Sequence, residues 1–173
     1  MFQTYTASTS PDQGPPRLAL LRAELAARGL AGFLVPRSDA HQGEYVSPHD
    51  ERLAWLTGFA GSAGFCVVLQ RVAGVFIDGR YTLQVRDQID LDAYEPVSIP
   101  QTSAADWLRA HARAGDVIGF DPWLHTPDEI GKIEAGLSGS GIVLQALREN
   151  PLDAVWTDQP PASVGAVREH PLA

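Results

Sequence analysis

The chain has 173 residues, 45% of them hydrophobic and 20% charged, a balance that fits one globular domain and excludes a chain too polar to fold. Thirteen Lys plus Arg against twenty-one Asp plus Glu give a formal charge of -8, which argues against nucleic acid as a main partner, because phosphate neutralisation needs clustered cations. The single cysteine, Cys66, excludes a disulfide framework and a cysteine-based zinc site, and no apolar run reaches the roughly 18 residues of a membrane span.

Residues 1–15 are polar and contain proline and glycine, and they read as a flexible N-terminal segment. They lack the charged and apolar regions of a signal peptide, so a cytoplasmic location is the default. PPRLALLRAELAARGL predicts a helix: Pro16 suits its first turn, Leu18, Leu21 and Leu25 share a face, and Gly29 stops it. AGFLVP (31–36) predicts a buried strand, the polar stretch 37–51 an ordered loop, and ERLAWLTGF one or two helical turns. GFCVVLQ and GVFIDG, either side of Arg71-Val72-Ala73, predict an antiparallel hairpin. RYTLQVRDQI carries Tyr81, Val85 and Ile89 four apart, a helical repeat, and AYEPVSI is a strand whose Pro96 points to an edge or a bulge.

From residue 103 the pattern alternates. Ser103 with Asp106 predicts a capping box opening SAADWLRAHARAG, DVIGF (116–120) a buried strand, Thr126 to Glu129 a second helix start, and GIVLQAL a further strand. This αβαβ run predicts parallel pairing beside the hairpin, hence an α/β fold with a mixed β-sheet and helices on both faces. TDQPPASVGAVREHPLA, after Trp156, is aperiodic and reads as a linker toward a second domain that is missing here. The expected division is therefore 1–15 flexible, 16–158 folded, and 159–173 linker.

Four features invite a chemical reading. Gly58, Gly61 and Gly64 are spaced three apart, which fits neither phosphate-loop pattern nor a nucleophile elbow, and a strand follows where a helix should. The expectation is a tight backbone passage, and Ser62 has no nearby base to make it a nucleophile. SDAHQGEYVSPHDE crowds Asp39, His41, Glu44, His49, Asp50 and Glu51 together; it admits a hydrogen-bonded loop, a metal-free functional surface or a divalent metal site. Asp78-Gly79-Arg80-Tyr81 admits either a cap with a local ion pair or an Arg80 that faces a ligand. Trp55, Trp107, Trp123 and Trp156 read mainly as core anchors, Cys66 as a small buried hydrophobe, and His111, His125 and His170 as ordinary surface.

The order of the motifs carries more than any one of them. DAHQGEYVSPHDERLAWLTGFAGSAG, then VFIDGRYTLQ, IGFDPWLHT and ENPLDAVWTDQPP, closely resemble the N-terminal domain of Xaa-Pro aminopeptidases (aminopeptidase P) in the creatinase/prolidase metallopeptidase group. The resemblance spans about residues 17–160 and is to the three-domain form. It implies a ribonuclease-H-like mixed sheet and a parent hydrolase that removes an N-terminal residue preceding proline. It also implies a separate catalytic domain with two divalent metals, usually Mn²⁺, whose ligand motifs match nothing here. By the same resemblance, this chain is non-catalytic, holds no cofactor or metal itself, and shapes the active-site entrance, admitting short peptides and excluding folded proteins. Asp39, His41, Glu44 and Arg80 match the family's motifs and are the candidates for a substrate-entrance or domain-docking surface. The implied partners are the C-terminal domains of the same parent, its peptide substrate and a second copy in a homodimer, with no nucleic acid and no membrane. Two other readings stand beside this one: a stand-alone module that binds proline-containing peptides, and the N-domain of a creatinase- or prolidase-type hydrolase.

Overall fold

A 3-10 turn (Pro11–Gln13) and helix α1 (Gly14–Ala27) open the domain in the computed structural model, which describes residues 9–162, 164–165 and 169. Residues 9–15, expected to be flexible, are ordered because Thr9 Oγ1 donates to the Gly58 carbonyl at 2.6 Å and Gln13 Nε2 to the Ala54 carbonyl at 2.8 Å. The α1 leucines Leu18, Leu21 and Leu25 are buried as their spacing predicts, and burying each such side chain stabilises by about 1.5–3 kcal/mol. The helix ends in a Schellman motif: the Leu30 amide donates to the Leu25 carbonyl at 2.9 Å and the Gly29 amide to that of Ala26 at 3.1 Å. Gly29 takes the left-handed conformation this turn requires, with φ +69°.

Six strands follow in one sheet: β1 (Gly32–Pro36), β2 (Phe65–Leu69), β3 (Ala73–Ile77), β4 (Glu95–Ser98), β5 (Val117–Phe120) and β6 (Val143–Ala146), in the order β4-β3-β2-β1-β5-β6. The β1–β2 and β2–β3 pairs are antiparallel, and the β3–β4, β1–β5 and β5–β6 pairs are parallel. This is the mixed sheet expected from the sequence, and Pro96 lies on the edge strand β4. Five strands therefore run the same way, with only β2 reversed. Their carboxyl ends and the start of β2 share one end of the sheet.

Alternation along the strands builds a core on each face. Phe33, Val35, Cys66, Val68, Val75 and Ile77 pack with α1, α2 (Arg52–Thr57), α3 (Gln84–Gln88) and α6 (Pro151–Val155). Leu34, Val67, Leu69 and Phe76 turn the other way, toward α4 (Ala104–His111) and α5 (Pro127–Leu137). Trp55 and Trp156 stack with ring centroids 5.1 Å apart, and Trp107 is buried on the opposite face. Trp123 is not a core anchor, being 74% exposed. Burial pushes the Cys66 thiol far up in pKa, which fits a small inert hydrophobe.

Several local expectations are corrected. Ala73 belongs to β3, so the hairpin turns at 70–72, where the Leu69 amide donates to the Val72 carbonyl at 2.9 Å. The helix over RYTLQVRDQI breaks into a 3-10 turn (Gly79–Tyr81) and the short α3, because Asp78 caps the turn and Tyr81 reaches out to Ser62. At α4 the Asp106 carboxylate accepts the Ser103 hydroxyl at 2.7 Å rather than the Ser103 amide, so only half a capping box forms. A complete box is at α5, between Thr126 and Glu129. ENPLDAVW, quoted only as a motif, forms α6: Asn150 caps it by accepting from the Leu152 amide, and Pro151 starts it. His170 lies outside the described residues.

Candidate functional site

The loops after β1, β4 and β5, with the one before β2, surround a crevice of about 590 Å³ at the common carboxyl end of the sheet. Open α/β sheets place ligands at this end, because the loops diverge there and the sheet fixes their bases. The apolar lining includes Leu34, Phe65, Ile99, Leu124 and Ile133. Arg37, Glu44, Glu129 and Lys132 supply charge.

The wall that carries three of the four candidate residues is a loop closed on itself. Asp39 Oδ1 accepts from the amides of His41 and Gly43, both at 2.9 Å. Gln42 takes a left-handed φ of +55° to allow this. The Gly43 amide, with that of His41, holds the Asp39 carboxyl below the usual carboxylate range. Arg37 Nη1 donates to the Glu44 carbonyl at 3.0 Å, and Ser38 Oγ donates to the Leu124 carbonyl across the crevice. Asp39 is thus a loop-shaping group, His41 is exposed, and Glu44 lines the crevice.

Arg80 does not line it. Its guanidinium grips Asp78 next door, Nη2 to Oδ2 at 2.7 Å and Nε to Oδ1 at 3.0 Å, and sits 5.0 Å from the centroid of the Tyr81 ring. The Arg80 side chain holds the Asp78 carboxyl below its ordinary value. Tyr81 then carries the link onward, since its hydroxyl accepts from the Ser62 amide and shares a 2.5 Å hydrogen bond with Ser62 Oγ. Ser62 lines the crevice, paired with a phenol rather than a base, so nothing here activates it as a nucleophile.

His125 was legible only as surface and is a functional candidate in the structure. It is half-buried, lines the crevice, and its Nε2 is buried with no hydrogen-bond partner among the described residues. Burial lowers its pKa, partly opposed by Glu129 and Asp121, and so favours neutral imidazole. Its signal in the sequence, a histidine just ahead of a helix cap, does not reveal that the β5 exit turns it inward.

The loop's far half joins the end of the domain. Arg52, with a side chain 7% exposed, binds Asp153 through Nε at 2.7 Å and Nη2 at 2.8 Å, and Asp50 through Nη1 at 3.0 Å. His49 Nδ1 lies 2.7 Å from the Pro160 carbonyl, and Gln159 Nε2 donates to the His49 carbonyl at 2.9 Å. Gln159 and Pro160 are therefore strapped beside this loop. Among the described residues no group of three or more His, Cys, Asp or Glu is placed to hold a metal ion. Asp39 is committed to backbone amides and Asp50 to Arg52 and Ser47, so this loop does not fit a metal pair. No helix among the described residues is long and apolar enough to cross a membrane.

Residues 17–149 match the Creatinase/Prolidase N-terminal domain family. Human Xaa-Pro aminopeptidase 2 is 37% identical over 145 residues, covering 83% of this chain but 22% of its own length. The Caenorhabditis elegans X-prolyl aminopeptidase, described as a cytosolic enzyme with a di-nuclear active site, superposes with a TM-score of 0.79. It is 34% identical and covers 86% of this chain and 26% of its own. The N-terminal domain of the Mycobacterium tuberculosis cytoplasmic peptidase PepQ gives a TM-score of 0.62 at 26% identity, covering 81% of this chain and 98% of that domain. The chain thus spans about a quarter or less of the full-length aminopeptidases, and nearly all of an isolated N-terminal domain. With its mixed sheet and the loops that crown it, this chain belongs to the Creatinase/Prolidase N-terminal domain family.

Proposed function

We propose that this chain is the non-catalytic N-terminal domain of a metal-dependent Xaa-Pro aminopeptidase, which removes the N-terminal residue preceding proline. The observation that carries this is the coverage: identity of 34–37% extends over more than four-fifths of this chain and only 22–26% of each enzyme. In this reading the chemistry belongs to a second domain that would hold two divalent metals, Mn²⁺ being the expected pair, and these would supply an activated water for hydrolysis. This chain supplies the wall of the entrance. The folded unit, expected over 16–158, takes in the turn at Pro11–Gln13 as well, and the stretch from 159 to 173 leads toward the catalytic domain.

The loop of Asp39, His41 and Glu44 and the turn of Arg80 form the surface that faces the catalytic domain or the incoming peptide. They project from one end of the sheet, and Gln159 and Pro160 are tied to His49 in the far half of the same loop. A cytoplasmic parent that forms a homodimer completes the reading. The test compares the 173-residue chain with the parent polypeptide isolated from its source, each given an Xaa-Pro peptide and Mn²⁺. The parent is expected to cleave and the chain alone to be inert. Cleavage by the chain alone overturns the non-catalytic assignment, and a native polypeptide of only 18.6 kDa overturns the multidomain one. For the surface, Arg80→Ala in the parent is expected to change kcat/KM without unfolding the domain, and an unchanged kcat/KM removes Arg80 from the entrance.

A further inference from the structure

We infer that His49 is a positioning residue: it clamps the chain as it leaves the domain, so that the downstream segment departs in a direction fixed by the 37–51 loop. His49 holds the departing chain at two points. Its Nδ1 lies 2.7 Å from the Pro160 carbonyl, and its own carbonyl accepts from Gln159 Nε2 at 2.9 Å. A carbonyl only accepts, so Nδ1 carries the proton. Gln159 Nε2 also lies 3.3 Å from Asp153 Oδ1. Asp153 is gripped by Arg52, and Arg52 Nη1 donates to Asp50, the residue next to His49. The contacts thus close a ring from His49 through Gln159, Asp153, Arg52 and Asp50.

What the ring holds gives it a use. The chain turns after α6, where the Gln159 amide donates to the Trp156 carbonyl at 3.2 Å, and then runs through Pro160 and Pro161. Each proline fixes its own φ and keeps the residue before it out of the helical region, so residues 159–161 form a short stiff rod. Left free, such a rod would pivot at the turn. Clamped at its base, it passes the orientation of the loop to whatever it carries. His41 and Glu44 stand in that same loop, so the candidate surface and the exit of the chain keep one mutual geometry. The inference rests on the aminopeptidase reading only for what the rod carries, the catalytic domain.

Backbone NMR relaxation of the 173-residue chain tests it. Order parameters of about 0.85 are expected at the Asp158 and Gln159 amides, and a value above about 0.6 at Ala162. Two variants of His49 separate the hydrogen bond from mere bulk, because an Asn amide nitrogen takes the place of Nδ1 and a Gln amide nitrogen that of Nε2. His49→Asn should keep Ala162 above about 0.6, and His49→Gln should let it fall below. Gln159→Glu, which sets a carboxylate against two acceptors, should release it too. Both residues are half-buried, and unchanged order parameters at Leu34, Val67 and Val75 check that each variant keeps its core. The imidazole nitrogen shifts should place the proton of the neutral ring on Nδ1. An order parameter below about 0.6 at Gln159 in the unaltered chain overturns the inference, as does equal behaviour of the two His49 variants or a proton on Nε2. No catalytic domain enters the assay, so its failure leaves the aminopeptidase reading standing. Failure of the parent to cleave Xaa-Pro peptides would leave the clamp standing.

Discussion

Replacing Asp153 by alanine strips the two-toothed partner from a guanidinium that is only 7% exposed. Burial alone pulls the Arg52 pKa down, yet the contacts with Asp153 and then Asp50 hold it above its ordinary value. Breaking a fully buried pair by removing one partner costs about 3–5 kcal/mol. Asp153 is 33% exposed and Asp50 stays at 3.0 Å, so the expected loss is smaller, about 2 kcal/mol. In a domain of this size that lowers Tm by about 4–8 °C. Urea unfolding followed by tryptophan fluorescence measures it, because Trp156 follows directly on α6 and stacks on Trp55. Arg52→Met provides the decisive comparison. It removes the buried charge along with its bonds and leaves two carboxylates that reach water, so it should cost less than Asp153→Ala. A change within about 0.5 kcal/mol for Asp153→Ala, or a larger loss for Arg52→Met, refutes the reasoning.

Gly58→Ala should destabilise by at least about 2 kcal/mol, since Gly58 has φ +88° and a Cβ there would lie 2.3 Å from the Gln88 carbonyl oxygen. Gly79→Ala, with nothing within 4 Å of the added methyl, should stay within about 0.5 kcal/mol by the same denaturation assay. Because the His125 pKa is lowered by burial, the unfolded chain takes up its proton first as the pH falls below about 6.5. Stability is then lost down to the folded pKa, and His125→Phe should flatten that part of the Tm profile between pH 7.5 and 5. The Asp39 pKa is also lowered, which for a carboxyl favours the charged form: its contribution is complete above about pH 3.9 and disappears as the pH falls through the lower folded value. Asp39→Ala should therefore accelerate amide exchange at His41 and Gly43 at neutral pH, and Asp39→Asn should restore part of the protection.

The scaffold was the more legible half because its signals are local and periodic. Leu18, Leu21 and Leu25 announce a helix face, Thr126 and Glu129 a cap, and Pro96 an edge strand, all as observed. Where prediction slipped, a side chain had taken a partner other than the one its helix pattern implies. Tyr81 breaks the helical repeat because its hydroxyl is taken by Ser62, nineteen residues away in sequence. The carboxylate of Asp106 chooses a hydroxyl over an amide. The candidate surface was half legible: motifs led to Asp39, His41, Glu44 and Arg80, but spacing does not say that Asp39 spends its charge inside its own loop. Nor does it bring Lys132 and His125 to Glu44, because that meeting depends on β5 lying parallel beside β1, eighty-odd residues downstream. Crevices are made by topology, and a linear reading sees only their separate edges.

The packing of α1 against α6 sets an order of events during synthesis. The first helix leaves the ribosome early, followed by the β1–β2–β3 meander, whose pairings are close in sequence and therefore quick to form. Yet Leu152 and Trp156, which share the core with Leu21 and Trp55, emerge some 130 residues after Leu21. Until they do, the part of that face around Leu21 and Trp55 lacks its cover. A chain ended at residue 149, where the family match stops, would retain the whole sheet and lack this lid. Such a chain should bind hydrophobic dyes and recruit chaperones, whereas extension to residue 162 should release it from both.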